Sequence, residues 1–302
     1  MTAIVRAIRS PAGRAPLFMI LGMLLVPLMD GTAKILVADY PVAQVVWGRY
    51  AFNLLTLLPL FLLLRQRLRF SRTRFSLQLS RALFLLGDTA LFFAALFFIP
   101  LANGKAVFFA SPLIMTALAP LMLGERVGRH RWAAVLIGFT GTLFILKPEA
   151  SGLSIGYALA LGSAFLYALY LLMTRKLSSS APPLMSLLYT ALFGTLIMSL
   201  FLPFHWVMPD GRGWALLVAT GALGTISHFC IIKALEIGSA SQLAPFSYAE
   251  IISATLFGLV VFGNFPDMAT WTGISIVVAS GLYILHRENR RQRPEQETST
   301  ST

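Results

Sequence analysis

The chain has 302 residues, of which 57% are hydrophobic and 12% charged, with a mean hydropathy of +0.76. A soluble domain carries about 25% charged residues, so this composition excludes an ordinary soluble globule and points to a bilayer as the solvent. The formal charge of +12 is split among short loops, which argues against nucleic acid as a partner, and the single cysteine, Cys230, excludes an intrachain disulfide or a cysteine metal site.

Ten apolar segments of about the 20 residues that cross a bilayer follow one another. Residues 1–15 form a basic N-terminal segment, expected in the cytoplasm, and the run after them lacks a small-residue cleavage site, so 16–37 is read as an uncleaved first span. That span holds Asp30 and Lys34 four residues apart on one helix face. Charges within a bilayer are costly and usually face a bundle interior or a cavity, so the two either compensate each other or line a path. The second span, 41–64, carries Arg49, with Asp30 or Asp88 as its candidate partners; Gln44 and Trp47 near its start are candidates for a cavity wall or for packing. A basic loop leads to 79–99, with Arg81 at its inner end and Asp88 near the midplane. The fourth span, 101–123, carries Asn103 and Lys105, whose long stem lets it reach the outer interface. The fifth is 131–147, with a GFTG stretch suited to close helix contact.

The sixth and seventh spans are 155–175, with Tyr167 and Tyr170, and 183–204. The eighth, 213–235, holds a GALGT stretch and His228 in its inner half. The ninth, 240–262, contains Ser247, Tyr248 and Glu250, the last near the midplane and without a basic neighbour in its own half's spans. The tenth is 268–286, and the polar stretch 287–302 is expected to be a disordered cytoplasmic tail. With the N-terminus inside, 19 of the 24 Lys and Arg fall on the inner side and only Lys147 and Arg212 on the outer. That asymmetry predicts a multi-pass inner-membrane protein with both termini cytoplasmic.

The segments divide into two sets of five, 16–147 and 155–286. SPLIMTALAPLMLGE at 111–125 faces AEIISATLFGLVVFG at 249–263, and GTLFIL after Trp132 faces GLYIL after Trp271. An odd number of spans per half turns the second half upside down, so the expected architecture is an all-α polytopic membrane protein of ten helices in two inverted five-helix repeats. Glu125 has no counterpart, because Gly263 is followed by Asn264.

The motifs MDGTAK (29–34), QVVWGRY (44–50), RALFLLGDTALFFAALFFIPLANGKAVFFASP (81–112), LGE (123–125) and RWAAVLIGFTGTLFILKP (131–148) resemble the EamA type of the drug/metabolite transporter superfamily. Within it they look most like bacterial carriers of riboflavin or S-adenosylmethionine. The resemblance implies a secondary transporter working by alternating access, with a small-molecule substrate and the lipid bilayer as partners and no cofactor. Uptake of riboflavin or a similar metabolite is the expectation, and export of amino acids is the alternative. An intramembrane enzyme or a membrane scaffold is the rival class: GLSIG at 152–156 has no hydrolase context, and Lys105 is followed by Ala106 where a phosphate-binding loop needs Ser or Thr. The candidate path or proton-coupling residues are Asp30, Lys34, Arg49, Asp88, Lys105, His228 and Glu250, with Glu250 the proton-relay candidate.

Overall fold

The computed structural model describes residues 11–63, 75–124, 127–147, 154–177, 183–237 and 240–299. Glu125 and the arginines at 6, 9, 65, 67, 69, 72, 74 and 126 lie outside the described residues. Among the described residues the chain forms twelve α-helices and no strand. In lipid, backbone N–H and C=O groups have no water to turn to, so each segment satisfies them internally as a helix. In chain order these are α1 (Pro11–Asp39), α2 (Val42–Leu63), α3 (Phe75–Phe98), α4 (Leu101–Phe108), α5 (Ser111–Leu123) and α6 (Arg129–Leu146). Then come α7 (Ile155–Leu177), α8 (Pro183–Phe201), α9 (Gly211–Ile237), α10 (Ala240–Ser247), α11 (Ala249–Phe262) and α12 (Met268–Ser299). Among the described residues, eight helical segments are long and apolar enough to cross a membrane. α6 falls short because it opens on Arg129, His130 and Arg131.

Two expected continuous spans are broken. The stretch 101–123 splits into α4 and α5 at Phe109 and Ala110, and 240–262 splits into α10 and α11 at Tyr248. Pro112 has no N–H to return to the Phe108 carbonyl, which accounts for the first break. Pro245 precedes the second. The last helix, α12, is continuous from Met268 to Ser299.

The helices associate across the two sets of five. α1 lies along α9, α3 along α7, and α6 along α12, while α2 packs on both α8 and α9. α6 and α12 cross where Gly141 and Gly273 meet: a Cβ on Gly273 would stand 2.5 Å from the Gly141 carbonyl oxygen. α2 and α9 approach as closely at Gly221, whose Cβ would stand 2.7 Å from the Asn53 backbone nitrogen. Small residues give that proximity, as GFTG and GALGT suggested.

Two contacts join helix ends. Lys147, after α6, pairs with Asp267, whose carboxylate also caps α12 by accepting the Thr270 N–H at 2.9 Å. The Gln44 amide near the start of α2 exchanges two hydrogen bonds with the backbone of Val207, after α8, at 2.7 and 2.9 Å. Gln44 is thus a tether between helix ends, and Trp47 donates to Ser199 on α8, so neither lines the central cavity described next.

Candidate functional site

Near the two helix breaks, three charged side chains meet. The Lys105 ammonium on α4 lies 2.6 Å from a carboxylate oxygen of Asp30 on α1 and 2.6 Å from one of Glu250 on α11. All three side chains are at most 9% exposed. An isolated buried ion is expensive, and pairing with good geometry is what makes burial tolerable. The ammonium also sits 4.7 Å from the centre of the Phe92 ring and 5.0 Å from that of Phe108, a favourable cation–π arrangement. Two carboxylates against one ammonium give the ionised trio a net charge of −1.

This trio revises the expectations drawn from spacing. Asp30 does not pair with Lys34, although the two share a helix face. Lys34 instead donates to the carbonyls of Leu96 and Ile99 at the end of α3, the latter at 2.8 Å. Those carbonyls are orphaned by the helix terminus, where a cation is favoured. Lys105 does not reach for the outer interface, and Glu250 takes its basic neighbour from the other half of the chain. Arg49 donates to the Thr89 hydroxyl at 2.9 Å and lies over the rings of Tyr50 and Phe93, while Asp88 accepts from Ser163 at 2.6 Å. Among the described residues, Arg49 forms no ion pair with Asp30 or Asp88. Neutral hydroxyls on neighbouring helices satisfied both groups first.

A cavity of about 80 Å³ adjoins the trio. Six of the seven candidates line it: Asp30, Arg49, Asp88, Lys105, His228 and Glu250; Lys34 does not. Phe92, Phe108, Tyr167, Met23 and Met29 add aromatic and thioether groups to the wall. The Nδ1 atom of His228 lies 2.9 Å from the Gly224 carbonyl. A carbonyl only accepts, so Nδ1 carries the proton and Nε2 is left as an acceptor. The site can therefore offer fixed charges of both signs, an imidazole acceptor and flat apolar faces.

A second cavity, of about 240 Å³, is lined by Phe109 and Tyr248 among others and shares no lining residue with the first. The two rings are 5.5 Å apart at an angle of 30°, and the Tyr248 hydroxyl occupies space that Gly281 leaves open. Phe108 faces the first cavity and Phe109 the second.

Arg81 is a buried residue that spacing did not single out. It donates to Thr174 and Tyr170 hydroxyls at 2.8 Å and to the Ser186 carbonyl at 2.9 Å, and it stacks on Tyr170, whose ring in turn stacks on Tyr167. Its signal was present: Arg81 and Asp88 stand seven residues apart, on one face of an apolar helix.

The chain is similar to proteins of known role. The model of the EamA-like transporter family matches residues 13–147 and 154–285. A riboflavin transporter of Vibrio cholerae is 33% identical over 258 residues, covering 85% of this chain and 87% of the relative. An S-adenosylmethionine uptake transporter of Rickettsia prowazekii is 25% identical over 255 residues, covering 84% and 86%. A crystal structure with 23% sequence identity superposes with a TM-score of 0.63, covering 93% of this chain and 99% of the other, and so shares the fold. The Vibrio cholerae and Rickettsia prowazekii relatives are named as transporters, not enzymes. A helical bundle rich in membrane-crossing segments, with paired charges buried at its centre, fits that class, and this chain belongs to the EamA-like transporter family.

Proposed function

We propose that this transporter takes up riboflavin, or a similar polar heteroaromatic metabolite such as S-adenosylmethionine, across a bacterial inner membrane by alternating access. The observation that carries the reading is the buried Lys105, bridging an acid of α1 to an acid of α11 beside an aromatic cavity. Ring faces and fixed charges of both signs suit a flat solute with polar edges. Metabolite-sized pockets measure about 300 Å³ or more, and the central cavity holds about 80 Å³. Loading therefore requires the helices around the trio to separate, which is the motion alternating access supplies.

The working unit in this reading is ten spans in two inverted halves, 16–147 and 155–286, with both termini cytoplasmic. Support comes from helix ends: α6 finishes where α12 starts, and α2 starts where α8 finishes, so these corresponding spans run antiparallel. The contacts also exchange between halves, α1 with α9 answering α7 with α3, and α1 with α11 answering α7 with α5. One proton taken up by the trio cancels its net charge of −1, and Glu250 is the proposed proton carrier.

The test is riboflavin uptake into proteoliposomes, with and without an imposed pH difference. Saturable uptake, inhibited by S-adenosylmethionine and lost in Lys105→Met, is expected. Glu250→Gln keeps binding but loses the dependence on the gradient. A well-folded protein that exchanges amino acids and ignores riboflavin would reverse the substrate assignment.

A further inference from the structure

Between Lys105 of the trio and Arg81, which the transport reading does not use, runs an unbroken file of three rings. The Lys105 ammonium lies 5.0 Å from the centre of the Phe108 ring, and Phe108 lies 4.7 Å from Tyr167. Tyr167 lies 5.5 Å from Tyr170, and Tyr170 lies 4.7 Å from the Arg81 guanidinium. Phe108 and Tyr167 both line the central cavity and come from different halves of the chain, on α4 and α7. The hydroxyls of Tyr50, Tyr157 and Tyr170 each take part in a hydrogen bond, whereas among the described residues the Tyr167 hydroxyl has no partner. On the transport reading given above, in which the solute is flat and heteroaromatic, we infer that Phe108 and Tyr167 are two jaws that hold its ring between them.

Spacing decides which jaw moves and how far. Carbon atoms in contact lie about 3.5–4.0 Å apart, so a planar ring held between two others needs their centres about 7 Å apart. The pair stands at 4.7 Å, tilted by 45°, so it must open by roughly a further 2 Å to admit the solute. Tyr167 is the fixed jaw. It sits within α7 and is backed by Tyr170, whose hydroxyl accepts from Arg81 at 2.8 Å and whose ring faces the same guanidinium. Phe108 is the moving jaw, because it is the last residue of α4, beside the break at Phe109 and Ala110. Lys105 stands one turn earlier on α4, so a swing of Phe108 also disturbs its cation–π contact with the trio's ammonium. Solute entry is thereby coupled to the charges that Asp30, Lys105 and Glu250 bring from both halves. Among the described residues, Tyr167 is also the only tyrosine or tryptophan that lines this cavity.

The experiment uses the full chain purified in detergent and reads the fluorescence of riboflavin bound to it at saturating protein. A phenol in contact with an excited flavin quenches it by lending an electron that returns without net reaction; a phenyl ring does not. Wild-type protein is expected to bind riboflavin with its emission quenched. Tyr167→Phe keeps the ring and breaks no hydrogen bond with a described residue, so it should fold, still stack the flavin, and leave the bound flavin bright. Stacking on one aromatic face is worth about fivefold to 150-fold in affinity, so Tyr167→Ala and Phe108→Ala should each weaken binding at least about fivefold. Tyr248→Phe, which alters a phenol of the other cavity, should leave the emission quenched. Bright bound riboflavin in the wild type, or quenching that persists in Tyr167→Phe, would overturn the clamp while the substrate assignment stands. Recovery in Tyr248→Phe would place the flavin in the other cavity and overturn it equally. A loss of binding in Tyr167→Phe as large as in Tyr167→Ala would assign the contact to the hydroxyl and overturn stacking. Riboflavin that fails to bind the wild type would overturn the substrate assignment and the clamp with it.

Discussion

Replacing Lys105 by methionine keeps a long side chain against Phe92 and Phe108 but removes the ammonium that both Asp30 and Glu250 contact at 2.6 Å. Two carboxylates are then left together in a site that is less than a tenth exposed. Removing one partner of a buried ion pair costs about 3–5 kcal/mol, because the survivor is stranded without compensation. Lys105→Met should therefore lose at least that much stability, measured as the free energy of unfolding in mixed micelles with rising SDS. Combining Lys105→Met with Asp30→Asn and Glu250→Gln removes the stranded charge and should recover most of the loss. Coupling in double-mutant cycles should exceed about 1 kcal/mol for Lys105 with Asp30 and for Lys105 with Glu250. The cycle of Asp30→Asn with Lys34→Gln should show additivity within about 0.5 kcal/mol, because Lys34 is bonded to carbonyls of α3. Strong coupling in that last cycle, with none at Lys105, would refute the trio and reinstate the pair suggested by spacing.

Gly273→Ala drives a methyl into the Gly141 backbone and should cost about 1–3 kcal/mol by the same unfolding assay, with Ala at the roomier Gly104 much milder. Lys34→Met strands two carbonyls at the end of α3, and a loss of about 1.5–3 kcal/mol is expected, with riboflavin affinity retained in the surviving folded fraction. The Lys147 ammonium, and after it the Thr270 N–H, hold the Asp267 carboxyl at about 2, below its usual 3.8. A lowered folded value means this contribution is full above about pH 4 and vanishes as pH falls through 2. The carboxylate is 55% exposed and screened, so the stability gap to Asp267→Asn should stay below about 1 kcal/mol at pH 7 and close at pH 2 or in high salt. Reporter fusions to the C-terminal tail and within 205–212 should report opposite sides of the membrane; the same side for both would break the ten-span reading.

Much of the architecture was written in composition and order. Long apolar runs must become helices in lipid whatever their neighbours, so the helical segments were legible in outline, and the GFTG and GALGT stretches marked close approaches correctly. The family was legible in local motifs such as MDGTAK and QVVWGRY. Six of the seven candidate residues converge on one cavity, because an ionisable residue inside a span has few tolerable places to go. Partner choice was not legible. Spacing along one helix put Asp30 beside Lys34, yet a side chain bonds to whatever lies nearest in space, and for Lys34 that was the open end of α3, 62 residues away in sequence. Glu250 likewise found Lys105 from the other half of the chain, near two broken helices that no periodicity announced. Helix formation depends on a residue's immediate surroundings in the chain, whereas charge pairing depends on which helices pack together, and only the folded bundle brings α1, α4 and α11 to a single point.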